Sequence, residues 1–339
     1  MSNVIPYPAF SESGDREAPS SPAVPAPSDS STPVRRRRPS APAPISMPPR
    51  WRGPASRALY ALIGVVLFLG LWQAMAARID TSLGRLPGPM QVAAQVRVLG
   101  GEWQVERERA VAFRERLDEQ NARRLARDPT AEPIQARYTG APTFISQVGT
   151  SLLTVATGFV LATLVAVPLG IVCGLSSGIY AGLNPIIQVL RPISPLAWMP
   201  LALFIIQDSE ASAIFVIFIC SIWPMLINTA FGVAGVRQDW VNVARTHELG
   251  HLKTAFTVIL PAAAPTIVTG MRISIGIAWL VIVAAEMLVG GTGIGYYVWN
   301  EWNNLDLTSV IFSILMIGVV GMMLDAAFAS LQRAVAYAE

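Results

Sequence analysis

The chain has 339 residues, of which 53% are apolar and only 14% charged, with a formal net charge of +3. A soluble protein carries about 25% charged residues, and here 32 of the 47 lie in residues 1–145, leaving 15 for residues 146–339. These figures exclude an ordinary soluble enzyme and indicate an integral membrane protein.

The first segment, residues 1–57, is rich in Pro, Ser and Ala and contains the arginine run 35–38; 13 of the 26 prolines fall before residue 55. Such a composition cannot bury enough apolar surface to offset the entropy of ordering. It is expected to be a disordered cytoplasmic tail. No apolar stretch follows Met1, so it does not read as a signal peptide. Its arginines are expected either to keep the N-terminus in the cytoplasm, helped by anionic membrane lipid, or to meet a dedicated partner.

A spanning helix needs about 20 apolar residues. Six stretches meet this: 58–77, 152–175, 186–206, 211–233, 265–289 and 309–331. The expected fold is therefore an all-α integral membrane protein with six transmembrane helices. Pro192, Pro195 and Pro200 punctuate the third stretch. Prolines inside a span are tolerated where protein or a cavity satisfies the freed backbone groups, so this helix is expected to be packed or to line a pathway. Between the first two spans lies a polar insert, residues 78–145. Its middle, residues 102–128, reads as a charged helix in which Phe113 and Leu117 are four apart and Glu119 can pair with Arg123. The insert is either a solvated cap or a docking surface. The remaining five spans form a core, residues 146–335, around the loop 234–264.

That loop carries Arg237, Arg245 and Lys253, whereas the loops at Asp208 and Glu210 and at Glu301 and Asp306 carry no basic residue. The excess of basic residues belongs on the cytoplasmic side. Six spans with both termini cytoplasmic satisfy every loop and place the insert in the periplasm.

At about 30 residues the loop 234–264 is long, and it has a helical pattern of its own. A short helix is expected to run to Leu249 with Gly250 as its cap, and Pro261 to start the next helix. No catalytic set is legible. His247 and His251 are the only histidines, and Cys173 and Cys220 lie in apolar runs as small hydrophobes, so no metal centre is expected. The basic residues belong to the tail and the insert, which argues against nucleic acid. Lys253-Thr254 is not preceded by the glycines of a P-loop. Residues 290–295 (Gly-Gly-Thr-Gly-Ile-Gly) read as a turn. Of the charges inside spans, Arg272 either snorkels to the cytoplasmic surface or attracts an anion, Glu286 is structural near the outer boundary, and Asp325 pairs with Arg333 or meets the headgroups. Trp198 and Asn228 either pack or line the path.

The loop resembles the "EAA" loop of permease subunits in binding-protein-dependent ABC importers. That pattern is Glu-Ala-Ala, a glycine four residues on, and a hydrophobic-Leu-Pro ending. Ile259-Leu260-Pro261 match the ending, the triplet reads Asn242-Val243-Ala244, and counting back from Pro261 puts Glu248 where the glycine is usual. Gly250 follows two residues later. The segments 191–202, 208–210, 223–232, 269–273 and 284–288 are similar to nitrate permeases, beside bicarbonate, cyanate, sulfonate and taurine permeases; the likeness covers residues 58–335.

The resemblance implies the fold of the methionine importer's permease and an importer of a small oxyanion, nitrate first, in the bacterial inner membrane. Bicarbonate and organic sulfonates such as taurine are the alternative substrates. The chain itself would hold no cofactor; ATP and Mg would be used by a separate ATPase subunit. A periplasmic or lipid-anchored substrate-binding protein and a second permease copy, as a homodimer, would complete the assembly. Asn242, Val243, Ala244, Arg245, Glu248, Gly250, Leu260 and Pro261 would couple to the ATPase, and Pro195, Trp198, Asn228 and Arg272 would line the translocation pathway. An ion-coupled secondary transporter is the reading from another class, but no internal repeat is evident.

Overall fold

The computed structural model describes residues 54–81 and 84–335. The tail to residue 53, with its arginine run, lies outside them. The chain divides into two units, Met1–Ala61 and Leu62–Glu339. The described part of the first is helical, and the packing considered below lies within the second.

Helix α1 (Pro54–Ala76) contains an apolar span with a mean hydropathy of 2.0. Past it, the Trp72 indole N–H donates to the Pro87 carbonyl at 3.1 Å, and a minimal antiparallel pair, β1 (Asp80–Thr81) with β2 (Gly84–Arg85), turns the chain. Helix α2 (Pro89–Arg127) follows. Proline suits a first turn, where its missing N–H would be unpaired anyway, and the Gln91 side chain accepts from Gly88 N at 3.1 Å. At about 1.5 Å per residue, its 39 residues extend roughly 58 Å. The charged helix expected over 102–128 is only its outer part. Gly100 and Gly101 are poor helix formers, but burial of Val92 and Leu99 accompanies a helix that runs unbroken through them.

The chain then runs back beside α2 without regular structure. Asn121 donates to the Ile134 carbonyl at 3.1 Å and accepts from Ile134 N at 2.7 Å. Nearer the body, the Tyr138 ring lies 5.4 Å from Phe113, and its hydroxyl donates to Glu106 at 2.7 Å. The insert is thus an arm, helix outward and extended chain back.

Helix α3 (Phe144–Leu175) starts at Thr143, whose hydroxyl accepts from Ser146 N at 3.3 Å. Next come α4 (Ser177–Leu190) and α5 (Pro195–Ile206), bent 95° from each other. This corrects the expectation of one rod over 186–206. Pro195 drives Ser194 out of the helical region to φ −61°, ψ 138°, where it caps α5. Helix α6 (Ser209–Ala234) is capped by Asp208, which accepts from Ala211 N at 2.7 Å. After the loop helices described below, α9 (Leu260–Val289) crosses back, α10 (Ile294–Asn303) is short, and α11 (Leu307–Val335) is the last described helix. Among the described residues, five helices are long and apolar enough to cross a membrane, and there are six such spans if the bent α4–α5 pair counts as one.

The core is built around α6, flanked by α3 and α9. On α3, Gly158, Ala162, Ala166, Gly170 and Gly174 recur every four residues, which aligns them on one face. A Cβ placed on Gly170 would sit 2.6 Å from Thr229 Cβ and 2.9 Å from the Leu226 carbonyl oxygen. One on Gly174 would sit 2.6 Å from Val233 Cβ. Small residues let two membrane helices approach until their backbones touch. On the opposite side of α6, Gly270 of α9 faces Asn228 and the Pro224 carbonyl, and Ser274 Oγ donates to the Ser221 carbonyl at 2.7 Å.

Gly170→Leu is expected to destabilise the fold by about 1–3 kcal/mol through overpacking. Gly182→Leu, at a position with nothing within 4 Å, should be near neutral. Thermal unfolding of the purified variants in one detergent distinguishes the two; equal midpoints would refute the close α3–α6 contact.

Candidate functional site: a coupling loop and a cavity at the helix bend

The loop after α6 folds into α7 (Gln238–Thr246), α8 (His251–Thr254) and a wide π-helical turn (Ala255–Ile259) that runs into α9. Asn242, Val243, Ala244 and Arg245 all lie on α7. Ala244 is buried, whereas Trp240 and Val243, three residues apart and therefore on one face, are exposed. A nine-residue helix thus presents two large apolar side chains outward while a small one seats it inward.

The end of α7 corrects the expected cap. The helix stops at Thr246, and the residue with left-handed backbone is Glu248, at φ 52°. Glu248 N donates to the Arg245 carbonyl at 2.9 Å, and Leu249 N donates to the Ala244 carbonyl at 3.1 Å. These two bonds are the Schellman closure, in which the left-handed position is normally glycine. Gly250 has no positive φ and instead accepts from Thr254 N at 2.9 Å, opening α8. Sequence counting from Pro261 and backbone geometry therefore agree on Glu248 as the turn position. A glutamate there bears the left-handed penalty and puts negative charge beside the helix's negative end.

Beyond the turn, Leu260 N donates to the Ala255 carbonyl, one residue further back than in an α-helix. Pro261 follows immediately, so the widened turn sits where proline removes a donor and crowds the preceding turn. Ile259 packs with Ala263, Ile267 and Val233 of α6. The Leu260-Pro261 junction is thus tied both to the loop and to two long helices.

The residues expected to line a pathway divide. Pro195, Trp198 and Asn228 line one cavity of about 230 Å³ at the α4–α5 bend, with Arg191, Trp223 and Ile277. Asn228 Nδ2 donates to the Pro224 carbonyl at 2.7 Å. Arg272 does not line this cavity. Its Nε and Nη2 each donate to a carboxylate oxygen of Asp325 on α11, both at 2.6 Å. Asp325 therefore pairs with Arg272 and not with Arg333, because α11 packs against α9 at that height. Arg191, at the head of the segment 191–202, is the charged residue that lines the cavity. Its position in a Pro-flanked break between helices was the available signal.

At the far end of α9, Glu286 is buried. Ser151 Oγ of α3 lies 2.7 and 2.9 Å from its two carboxylate oxygens, and Gly295 N donates to it at 2.8 Å. Ile294 N donates to Ser151 Oγ at 2.9 Å. The intervening turn takes positive φ at Gly290, Gly291 and Gly293, and a Cβ on Gly293 would fall 2.2 Å from the Glu286 carboxyl. The glycine turn wraps a carboxylate, which suits Glu286 to a structural role.

A family described as "Binding-protein-dependent transport system inner membrane component" matches residues 166–337. The chain belongs to this family. It is 48% identical to the nitrate import permease protein NrtB of Synechocystis sp. over 193 residues, covering 57% of this chain and 70% of that one. To the bicarbonate transport system permease protein CmpB of the same organism it is 43% identical over 187 residues, 55% and 67% of the two chains. The fold is shared with a chain of the MetNI methionine ABC transporter in an inward-facing conformation. That match has a TM-score of 0.51 at 16% identity and covers 57% of this chain and 96% of that chain. This chain is thus an ABC importer permease with the MetI-like fold, in the branch that holds nitrate and bicarbonate permeases.

Two stability outcomes follow for this permease. Glu248→Gly should stabilise it by about 1 kcal/mol by relieving left-handed strain. Ser151→Ala should cost about 1–3 kcal/mol by leaving a buried carboxylate oxygen and the Ile294 N–H without partners. Both are read from thermal unfolding midpoints; a fall for Glu248→Gly would contradict the cap geometry.

Proposed function

We propose that this chain is the membrane-spanning subunit of an ATP-driven importer of a small oxyanion, nitrate first, working with a separate ATPase subunit that uses ATP and Mg. The observation that carries the coupling role is α7: an amphipathic helix with Trp240 and Val243 outward, closed by a hydrogen-bonded turn and joined through Ile259 and Leu260 to α6 and α9. Its exposed apolar pair fits a cleft on a soluble subunit, and its tether passes a displacement into two spans. The basic residues Arg237, Arg245 and Lys253 assign this loop to the cytoplasm, and the arm then lies outside.

The cavity at the α4–α5 bend is the proposed passage. Arg191 brings positive charge to its wall, and the bend places Pro195 and Trp198 opposite Asn228 of α6. A cation at the rim of a low-dielectric cavity raises the local concentration of anions. Arg272, neutralised by Asp325, takes a packing role in this scheme. A substrate-binding protein delivers the anion from outside, and a second permease copy, as a homodimer, completes the path. Nitrate is favoured over bicarbonate by the higher identity to the nitrate permease of the same organism.

The test is ATP-dependent uptake of isotope-labelled nitrate in cells with and without the gene, challenged with unlabelled bicarbonate, cyanate and taurine. Loss on deletion, with competition only by nitrate-like anions, is expected. Unchanged nitrate uptake moves the substrate to bicarbonate or a sulfonate, and uptake that persists without the ATPase makes the chain an ion-coupled transporter. Trp240→Asp should abolish ATPase co-purification and lower uptake at least about tenfold, with normal amounts of protein in the membrane. Retained uptake would remove α7 from the coupling role.

A further inference from the structure

A second concavity lies away from both the bend cavity and the coupling loop, where α2, the start of α3, α10 and the start of α11 meet. Its volume is about 580 Å³, and its lining includes Glu102, Gln147, Tyr296, Tyr297, Glu301 and Asp306. No lysine or arginine lines it, and none of the three carboxylates forms an ion pair among the described residues. Asp306 caps α11, accepting from the Thr308 and Ser309 amides and, at 2.5 Å, from the Ser309 hydroxyl. Burial, and then the charge of Asp306, push the Glu301 carboxyl above its usual range. Tyr297 is pushed up to about 12, mainly by burial.

An independent feature points the same way. Gln147 is only 5% exposed, and its Nε2 donates to the Pro142 carbonyl at 3.2 Å, which fixes the amide orientation. Its carbonyl Oε1 is then buried with no hydrogen-bond partner. An unpaired acceptor beside three carboxylates that have no ion-pair partner, and two tyrosine rings, calls for a cation that brings its own N–H donors. An anion would be repelled, and an apolar group would leave the acceptor unmet. The carboxylates also do not converge as metal ligands: among the described residues no three His, Cys, Asp or Glu are placed to hold a metal ion. A planar guanidinium, or an ammonium on a flexible stem, spans such separated acceptors.

We infer that this groove receives the guanidinium or ammonium group of a basic side chain on the substrate-binding protein. The inference rests on the importer reading, which puts the arm and α10 on the outer face. Glu102 is exposed at the rim and Glu301 half-buried within, so an incoming side chain meets a charged acceptor before it reaches the covered ones.

The experiment uses the full transporter, with its ATPase and binding protein, in proteoliposomes. Glu102→Lys with Glu301→Lys should raise the binding-protein concentration for half-maximal ATPase stimulation about tenfold at low salt, with the maximal rate unchanged. The shift should shrink as ionic strength rises. Millimolar L-argininamide should compete with the binding protein in the wild type and lose that effect in the double variant. An unshifted half-maximal concentration overturns the inference. Thermal stabilisation by argininamide that depends on Glu102 and Glu301, with no shift in the docking curve, would make the ligand a free cation and overturn the assignment to the partner. Failure of any binding protein to stimulate the wild type would instead bring down the importer reading and this inference with it.

Discussion

The close approach of α3 to α6 is the constraint on which the rest of the membrane domain depends. Gly158, Gly170 and Gly174 have no side chain to hold the helices apart, and Ala162 and Ala166 are fully buried between them. In lipid there is little hydrophobic gain in bringing two apolar helices together, so association rests on van der Waals contact at short range and on hydrogen bonds. A stripe at four-residue spacing gives that contact over more than three turns. With α6 held on one side, its other side is presented to α9, where Gly270 and Ser274 repeat the same device.

Helix α9 is then fastened at three heights by different chemistry. Near the loop, Ile259 and Ala263 join Val233 in a small apolar cluster. Midway, Arg272 holds Asp325 of α11 through two hydrogen bonds. At the end, Glu286 holds Ser151 of α3 and the glycine turn before α10. Charged groups inside spans are expensive unless paired, and both of these serve as ties between helices. The bend between α4 and α5 is left to shape the open space, which is why the cavity residues gather there.

Much of this was legible from residue patterns, and the losses have physical causes. Apolar length revealed the spans, since bilayer thickness sets it directly. It did not reveal the 95° bend, because hydropathy is blind to direction; only the Pro192 and Pro195 pair carried that information. The partners Arg272 and Asp325 are 53 residues apart, so no local spacing joins them, and nearby Arg333 was the natural but incorrect choice. Glycine is the default for a left-handed turn, which favoured Gly250, whereas counting from Pro261 favoured Glu248. The chain follows the count, because the length of the segment between helices fixes where the turn must fall. Helix α10 was missed because its Trp, Tyr and Asn residues are neither a long apolar run nor a strongly amphipathic one.

The π-helical turn at Ala255–Ile259 adds one residue to a continuous helical path without ending it. Each residue of an α-helix turns the chain by about 100°. That single extra residue therefore sets the rotational phase between everything upstream, including the outward face of α7, and everything downstream in the membrane. Were the turn to tighten into regular α-helix, Trp240 and Val243 would swing around the axis of α9 while its span kept its packing. The outward face of α7 and the face shown to α6 are thus indexed independently, and the first can be re-aimed at this one turn without repacking the core.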